Sequence, residues 1–322
     1  MTTSAAIKED GEEVMLCASC GTAEGDDIKL RNCTACYLVR YCSVKCQKDH
    51  RPKHKKECKK RAAEIKDEIL FKQPESTHLG DCPICCLPLP LDESKYCLNT
   101  CCSKEICQGC NVANIKRELE GRLQHKCPFC RKAMPSTQEQ SDELLMKRIE
   151  ANDPVAMCHM GTIRFREGDL KAAFEYWSTS AALGYAAAHF EMACSYGEGV
   201  GVEKDKKREL HHLTEAAIAG HPNARHDLGC MEGENGQYVR AVKHFIIAAK
   251  LGNDRSLGTV KEMYEDGQAS KDDYSTALRG HKAAIEATKS PQREFFEANR
   301  EWFTELGMLV GGSAETVQQE VA

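Results

Sequence analysis

Seven cysteines and one histidine between residues 17 and 58 are spaced as metal ligands: Cys17 and Cys20, Cys33 and Cys36, Cys42 and Cys46, His54 and Cys58. Two ligands with two residues between them let a tight turn bring both to one ion, and a step of four places two ligands on one helical face. Eight such donors fill two closed tetrahedral zinc sites. A second set follows, with Cys82 and Cys85, Cys101 and Cys102, Cys107 and Cys110, and Cys127 and Cys130. Lys104 stands near its centre and cannot ligate as an ammonium, whereas the nearby Cys102 can. The middle pair is the open part of this set. Cys97 could replace Cys101, and His125 could enter a less regular site; Cys86, Cys97 and His125 are otherwise read as non-ligands.

Composition says why metal is needed. Of the 20 cysteines, 17 precede residue 131, so the two halves of the chain are stabilised differently. A segment of about 40 residues buries too little apolar area to fold alone, and each structural zinc supplies on the order of 10 kcal/mol. The start "MTTSAAIKEDGEEVML" is acidic where a secretory signal needs a basic start and an apolar core, and no stretch reaches the length of a membrane span. The expected location is therefore intracellular, cytoplasmic or nuclear or both, where paired cysteines serve as ligands more often than as disulfides. The net charge of -5 argues against whole-molecule nucleic-acid binding. Nine lysines and arginines between Lys45 and Arg61 read as the solvated face of a short helix.

From residue 137 the texture becomes helical. "TQEQ" offers a capping-box start to a helix through "SDELLMKRIEA". The strings "SAALG", "AAIAG" and "AAKLG" then recur at residues 180, 216 and 248, and Ala156, Ala188, Ala224 and Ser256 recur ahead of them. Each unit would hold one helix starting near "DPVA" or "HPNA" and a second ending at a glycine, which tolerates a left-handed cap. "GVGVEKD" reads as a longer loop between two helices. Cys194 and Cys230 occupy matching places and read as small packing residues. The histidines here, His211, His212, His221 and His244 among them, lack a second ligand at usable spacing and read as surface or inter-helix residues. Stacked helix pairs make an extended concave face suited to peptides or proteins.

Three family resemblances sit on these residues. "YCSVKCQKDHRPKHKKEC" resembles the second half of a MYND-type zinc finger, which implies interleaved sites: Cys17, Cys20, Cys42 and Cys46 on one zinc, Cys33, Cys36, His54 and Cys58 on the other. The family's spacing selects His54 over His50. Arg51 stands where the family often carries tryptophan, which bears on partner binding. "CPIC" and "CPFCR" resemble the ends of a RING-type finger in an all-cysteine variant. The resemblance implies crossed sites, Cys82, Cys85, Cys107 and Cys110 against Cys101, Cys102, Cys127 and Cys130, and docking of a ubiquitin-charged conjugating enzyme through Ile84, Pro128 and Arg131. The repeats resemble Sel1-like repeats, relatives of tetratricopeptide repeats.

The expected architecture is multidomain: two small zinc-stabilised cross-brace modules followed by an all-α helical solenoid, holding four zinc ions. The expected boundaries are a disordered 1–16, MYND 17–58, a charged, partly helical linker 59–81, RING 82–131, a linking helix 137–152, four repeats over 153–287 with the last degenerate, and a C-terminal helix and tail over 288–322, the tail weakly ordered from 301. Closed zinc sites activate no water, so neither module is a nucleophilic catalyst. Two functions follow: a ubiquitin ligase whose MYND finger and repeats select substrates, or a non-enzymatic adaptor. Methyl transfer of the SET type is not expected, because no "NHxC" string occurs and the repeats leave no room for a β-rich domain.

Overall fold

The computed structural model describes residues 5–7 and 13–305. It divides into two compact units, Met1–Lys72 and Gln73–Ala322, each taken by itself. No described helix is long and apolar enough to cross a membrane.

In the first unit, β1 (Ala5–Ile7) pairs antiparallel with β2 (Glu13–Met15), and β3 (Arg31–Asn32) with β4 (Arg40–Tyr41). The expected disorder of residues 1–16 therefore fails for 5–7 and 13–15; residues 1–4 and 8–12 lie outside the described residues. The core comprises Cys17, Cys33 and Cys36 with Leu30, Val39 and Tyr41. Half of it is sulfur, so apolar burial cannot carry this unit. α1 (Val44–Leu70) follows, with the Ser43 hydroxyl accepting from the Cys46 N–H. It is 27 residues long and runs on past Cys58 without a break, so the helical part of the expected linker is the second half of α1. Arg61 explains the continuity: it reaches Glu64 at 3.3 Å and Glu68 at 2.7 Å, acidic residues that answer the basic first half. The lysines of that first half are exposed, as expected of a solvated face.

The second unit opens with residues 73–81, which are no linker either. The His78 N–H donates to the Gly220 carbonyl at 3.1 Å, and its ring lies 4.0 Å from that of His221, which in turn stacks on Phe190 at 4.3 Å. Gly220 sits at φ +86, and a Cβ there would come within 2.6 Å of the Ser76 carbonyl oxygen. A hairpin of β5 (Tyr96–Asn99) and β6 (Lys104–Cys107) leads straight into α2 (Gln108–Glu120). Its core joins Cys82, Leu89, Ile106, Cys107 and Cys110.

α3 (Gln138–Glu150) begins with half the anticipated capping box: the Thr137 hydroxyl accepts from the Gln140 N–H, but the Gln140 side chain accepts from Ser136 instead. Helix pairs then stack: α4 (Pro154–Arg166) with α5 (Leu170–Ala182), α6 (Ala186–Glu198) with α7 (Lys206–Ile218), α8 (Pro222–Glu234) with α9 (Tyr238–Lys250), and α10 (Asp254–Glu265) with α11 (Lys271–Ala287). The first three pairs end at Gly184, Gly220 and Gly252, all at positive φ, and the residue after each glycine takes the N-cap position of the next helix, His221 and Asn253 with a side-chain hydrogen bond and Tyr185 without one. Asn152, at φ +57, does the same ahead of α4, so α3 ends like the second helix of a preceding pair. α11 ends at Ala287 without a left-handed cap. The chain closes with α12 (Pro291–Ala298) and α13 (Arg300–Glu305), so residues 301–305 of the anticipated tail are helical, and 306–322 lie outside the described residues.

Packing inside the pairs conserves volume. A Cβ on Gly161 would meet Trp177 at 2.5 Å, and one on Gly229 would meet Phe245 at 2.6 Å. The equivalent positions of the middle pair hold Ala193 and Leu213, both buried. A glycine thus opposes an aromatic ring, and an alanine stands where the opposite position is a leucine.

Two outcomes follow from this packing. Gly229→Ala should overpack against Phe245, costing about 1–3 kcal/mol and several degrees of melting temperature, whereas the control Gly233→Ala, whose added Cβ meets only Ala241 at 3.9 Å, should stabilise by up to about 1 kcal/mol. Burial holds His78 down to about 4. Its contribution is therefore complete above the unfolded value near 6.5 and is lost as pH falls toward 4, because the unfolded chain takes the proton first. His78→Phe should flatten the acid limb of a stability curve measured by denaturant titration between these pH values.

Candidate metal centres

Four ligand clusters form, each with its donor atoms within 4.8 Å of one another: Cys17, Cys20, Cys42 and Cys46; Cys33, Cys36, His54 and Cys58; Cys82, Cys85, Cys107 and Cys110; Cys101, Cys102, Cys127 and Cys130. The two clusters of each module interleave along the chain. Tetrahedral zinc with bonds of about 2.3 Å sets its sulfurs about 3.8 Å apart. Sulfur pairs in each cluster lie near that edge: Cys20 to Cys42 at 3.6 Å, Cys33 to Cys58 at 3.7 Å, Cys85 to Cys107 at 3.9 Å and Cys102 to Cys127 at 3.8 Å, with Cys101 to Cys130 tighter at 3.4 Å. A disulfide needs about 2 Å, and every cysteine is a free thiol. The clusters fit zinc, and with all four positions occupied by protein they leave none for a reacting water.

The backbone builds each centre on the same turn. The N–H of Gly21 donates to the Cys17 carbonyl, Tyr37 to Cys33, Cys86 to Cys82 and Arg131 to Cys127, at 2.8 to 3.0 Å. All four donors lie at positive φ, as does Ser103 after Cys102. Three of the four turns place a non-glycine residue where glycine is cheapest, which is why the repetition does not show in the residue types. Backbone N–H groups also point at sulfur, Cys42 to Cys17 and Cys107 to Cys82, both at 3.5 Å. Cys107 stands at the N-cap position of α2 and Cys110 lies in its first turn.

α1 carries Cys46 for one centre and His54 and Cys58 for the other. His54 puts Nε2 3.1 Å from Cys36 Sγ, and burial pushes its pKa down, leaving the neutral imidazole a metal requires. His50 is no ligand, and it is not a plain surface residue either: its ring stacks on His54 at 5.6 Å and its Nδ1 lies 3.1 Å from the Tyr41 hydroxyl. The Thr22 hydroxyl, 3.1 Å from Cys20 Sγ, holds that thiol down to about 6.

In the second module the open middle pair is Cys101 and Cys102, on the turn between β5 and β6. Cys97 pairs across the strands with Ile106 and has its sulfur 3.7 Å from the Ile106 carbonyl, and burial pushes its pKa up to about 12. His125 pairs through Nδ1 with Glu118 at 2.8 Å, and Cys86 is exposed on its turn. Ile84 is 41% exposed and Arg131 is exposed. Pro128, expected as a docking residue, is buried. The side chain presented by that turn is Phe129, with the Lys104 ammonium 5.9 Å above its ring.

Outside the centres, Cys230 packs beside Val242 and Phe245, with its sulfur 3.6 Å from His226 Nε2. His221, His226 and His244 are buried in the solenoid. A cavity of about 840 Å³ opens in the second unit, lined by Leu89, Leu91, Lys250, Ile285, Arg293 and Phe296 among others.

With this geometry described, comparison with known proteins names two of the parts. Residues 17–58 are a MYND finger. Residues 154–185, 186–221 and 222–253 are Sel1 repeats. Both are protein-interaction modules, and residues 82–130 lie outside both matches. The chain is similar to SET domain and MYND-type zinc finger protein 6 of Schizosaccharomyces pombe, 40% identical over 55 residues, which is 17% of this chain and 11% of that protein. The similarity thus spans about a tenth of that relative. Among solved structures, a Sel1 repeat protein from Oxalobacter formigenes aligns at a TM-score of 0.42 and 23% identity, over 55% of this chain and 73% of that one. The protective antigen c5321 of uropathogenic Escherichia coli, described as displaying an SLR fold, aligns at 0.38 and 24%, over 51% of this chain and 37% of its own.

Metal analysis of the purified protein should return four zincs per chain, one for each cluster. Exhaustive chelation should abolish the hydrogen-exchange protection of residues 17–58, while α4 to α11 retain their helical signal.

Proposed function

We propose that this protein is a zinc-dependent interaction adaptor. The observation that carries the reading is the closure of all four clusters: no centre keeps an open position for chemistry, so the metals serve as structural supports for binding surfaces. The finger's surface is apolar in places, with Tyr37, Leu38 and Val44 exposed near its ligands. The solenoid adds the extended face of its stacked pairs, and the cavity of about 840 Å³ offers a pocket of peptide-binding size. The reading places the protein in a reducing, intracellular compartment, where paired cysteines serve as ligands more often than as disulfides.

A second reading rests on a specific feature. Residues 82–130 interleave two four-cysteine clusters around a hairpin and a helix, as in the RING resemblance, and they expose Ile84, Phe129 and Arg131 on their cysteine turns. A ligase would use the first two to hold a conjugating enzyme, and the fixed fork of Arg131 to restrain its ubiquitin thioester.

Immobilised full-length protein should capture a defined set of cellular proteins, and Cys33→Ser or Cys58→Ser should remove the finger-dependent members. Capture unchanged by both substitutions and by chelation would sink the adaptor reading. A reconstituted ubiquitination assay over a panel of conjugating enzymes separates the second reading: chains that form with wild type and fall at least tenfold in Ile84→Ala and Arg131→Ala would favour the ligase, and an inactive wild type would exclude it.

A further inference from the structure

Arg293, on α12, is 7% exposed. Its Nη2 donates to Cys85 Sγ at 3.4 Å and to the Leu87 carbonyl at 3.2 Å, and its Nη1 to the carbonyls of Pro88 and Thr288 at 2.7 Å each. Among the described residues no carboxylate pairs with it. A buried guanidinium needs negative charge. Zn²⁺ held by four thiolates carries a net charge of about −2, and the centre of Cys82, Cys85, Cys107 and Cys110 lies against this side chain.

The approach of α12 to that centre is built into both partners. A Cβ on Gly109, between the ligands Cys107 and Cys110, would stand 2.7 Å from the Arg293 backbone nitrogen and 2.8 Å from its Cα, so the helix seats only because that residue has no side chain. Ser290 caps α12 and Pro291 opens it. Phe296 and Phe303 close an apolar cluster with Val112 of α2. Lys95 pairs with Glu297 at 3.5 Å, and Lys116 sits 5.6 Å over the Phe295 ring.

We infer that Arg293 is the outer-sphere partner of this zinc centre, a positioning residue that holds the Cys85 thiolate and makes the metal a latch for the C-terminal helix. The guanidinium offsets the excess negative charge of the centre, and its N–H groups withdraw density from sulfur. The ligand is thereby held in place on the metal, which is released more slowly. The coupling is reciprocal: metal loss removes the charge that keeps Arg293 buried, and α12 detaches. The inference stands whether the module serves as an adaptor or as a ligase.

The test uses full-length, zinc-loaded protein. Zinc transfer to a chromophoric chelator should show one of four ions leaving about ten- to a hundredfold faster in Arg293→Ala, the other three leaving at wild-type rates, and Arg293→Lys falling in between. In cobalt-substituted protein the sulfur-to-metal charge-transfer band should shift in Arg293→Ala and return toward wild type in Arg293→Lys. Wild-type release with an unshifted band would overturn the inference. So would faster release of all four ions together, which would show general destabilisation instead.

Discussion

Sulfur closing on a metal is the constraint from which the first half of this chain takes its shape. The finger buries three apolar side chains, Leu30, Val39 and Tyr41, alongside three cysteines, far short of what offsets the ordering entropy of its backbone. Four ligands converging on one point replace that missing core. They also explain local conformations that are otherwise costly: Tyr37, Cys86, Ser103 and Arg131 sit at positive φ, each just after a ligand, where turning the chain back around the metal repays a strain of about 1 kcal/mol or more.

The helical half meets the same entropy in a different currency. Its helices bury alanine, and the small side chains bring axes close enough for Trp177 and Phe245 to fill the space beside Gly161 and Gly229. Equivalent positions across three pairs trade volume, glycine with an aromatic residue in two and alanine with leucine in the third. That exchange keeps the stack regular although the residues differ, and nearest-neighbour packing then propagates through the pairs. The left-handed glycines set the turn from one pair to the next, and each is followed directly by the N-cap position of the following helix, so one turn both ends and starts a helix.

Most ligand pairs and the helix pairs were legible because both are short-range patterns, ligands three or four positions apart and a repeat of 32 or 36 residues, whereas the grouping of pairs into quartets came from the family resemblances and left the middle pair of the second module open. What escaped depends on distance along the chain or on geometry. The charged segment after Cys58 was expected to be partly helical, but its helix was not expected to be the continuation of α1 to Leu70, along which Arg61 meets Glu64 and Glu68. The contact of His78 with Gly220 and His221 joins residues more than 140 positions apart. Pro128 lies in a turn whose inner and outer faces cannot be told apart from spacing alone, and the chain turns it inward and Phe129 outward. The match between Cys85 and Arg293 spans 208 residues, and no local pattern announces it.

These long-range contacts change what the second cysteine module is. Residues that read as a separate bead on a string are held from two sides, by the backbone of residues 73–81 on Gly220 and by α12 on Gly109, within the unit that contains the solenoid. Both anchoring glycines are places where any side chain would strike backbone atoms, so the contacts are specific to shape and not merely adhesive. A module fixed in this way keeps its exposed Ile84 and Phe129 at a set distance and angle from the repeats. A partner that engages both surfaces therefore gains avidity without the loss of effective concentration that a flexible tether would impose. The metal centre beside Arg293 thus contributes to the geometry of the whole second unit, and not only to the fold of the 49 residues that bear its ligands and those of its neighbour.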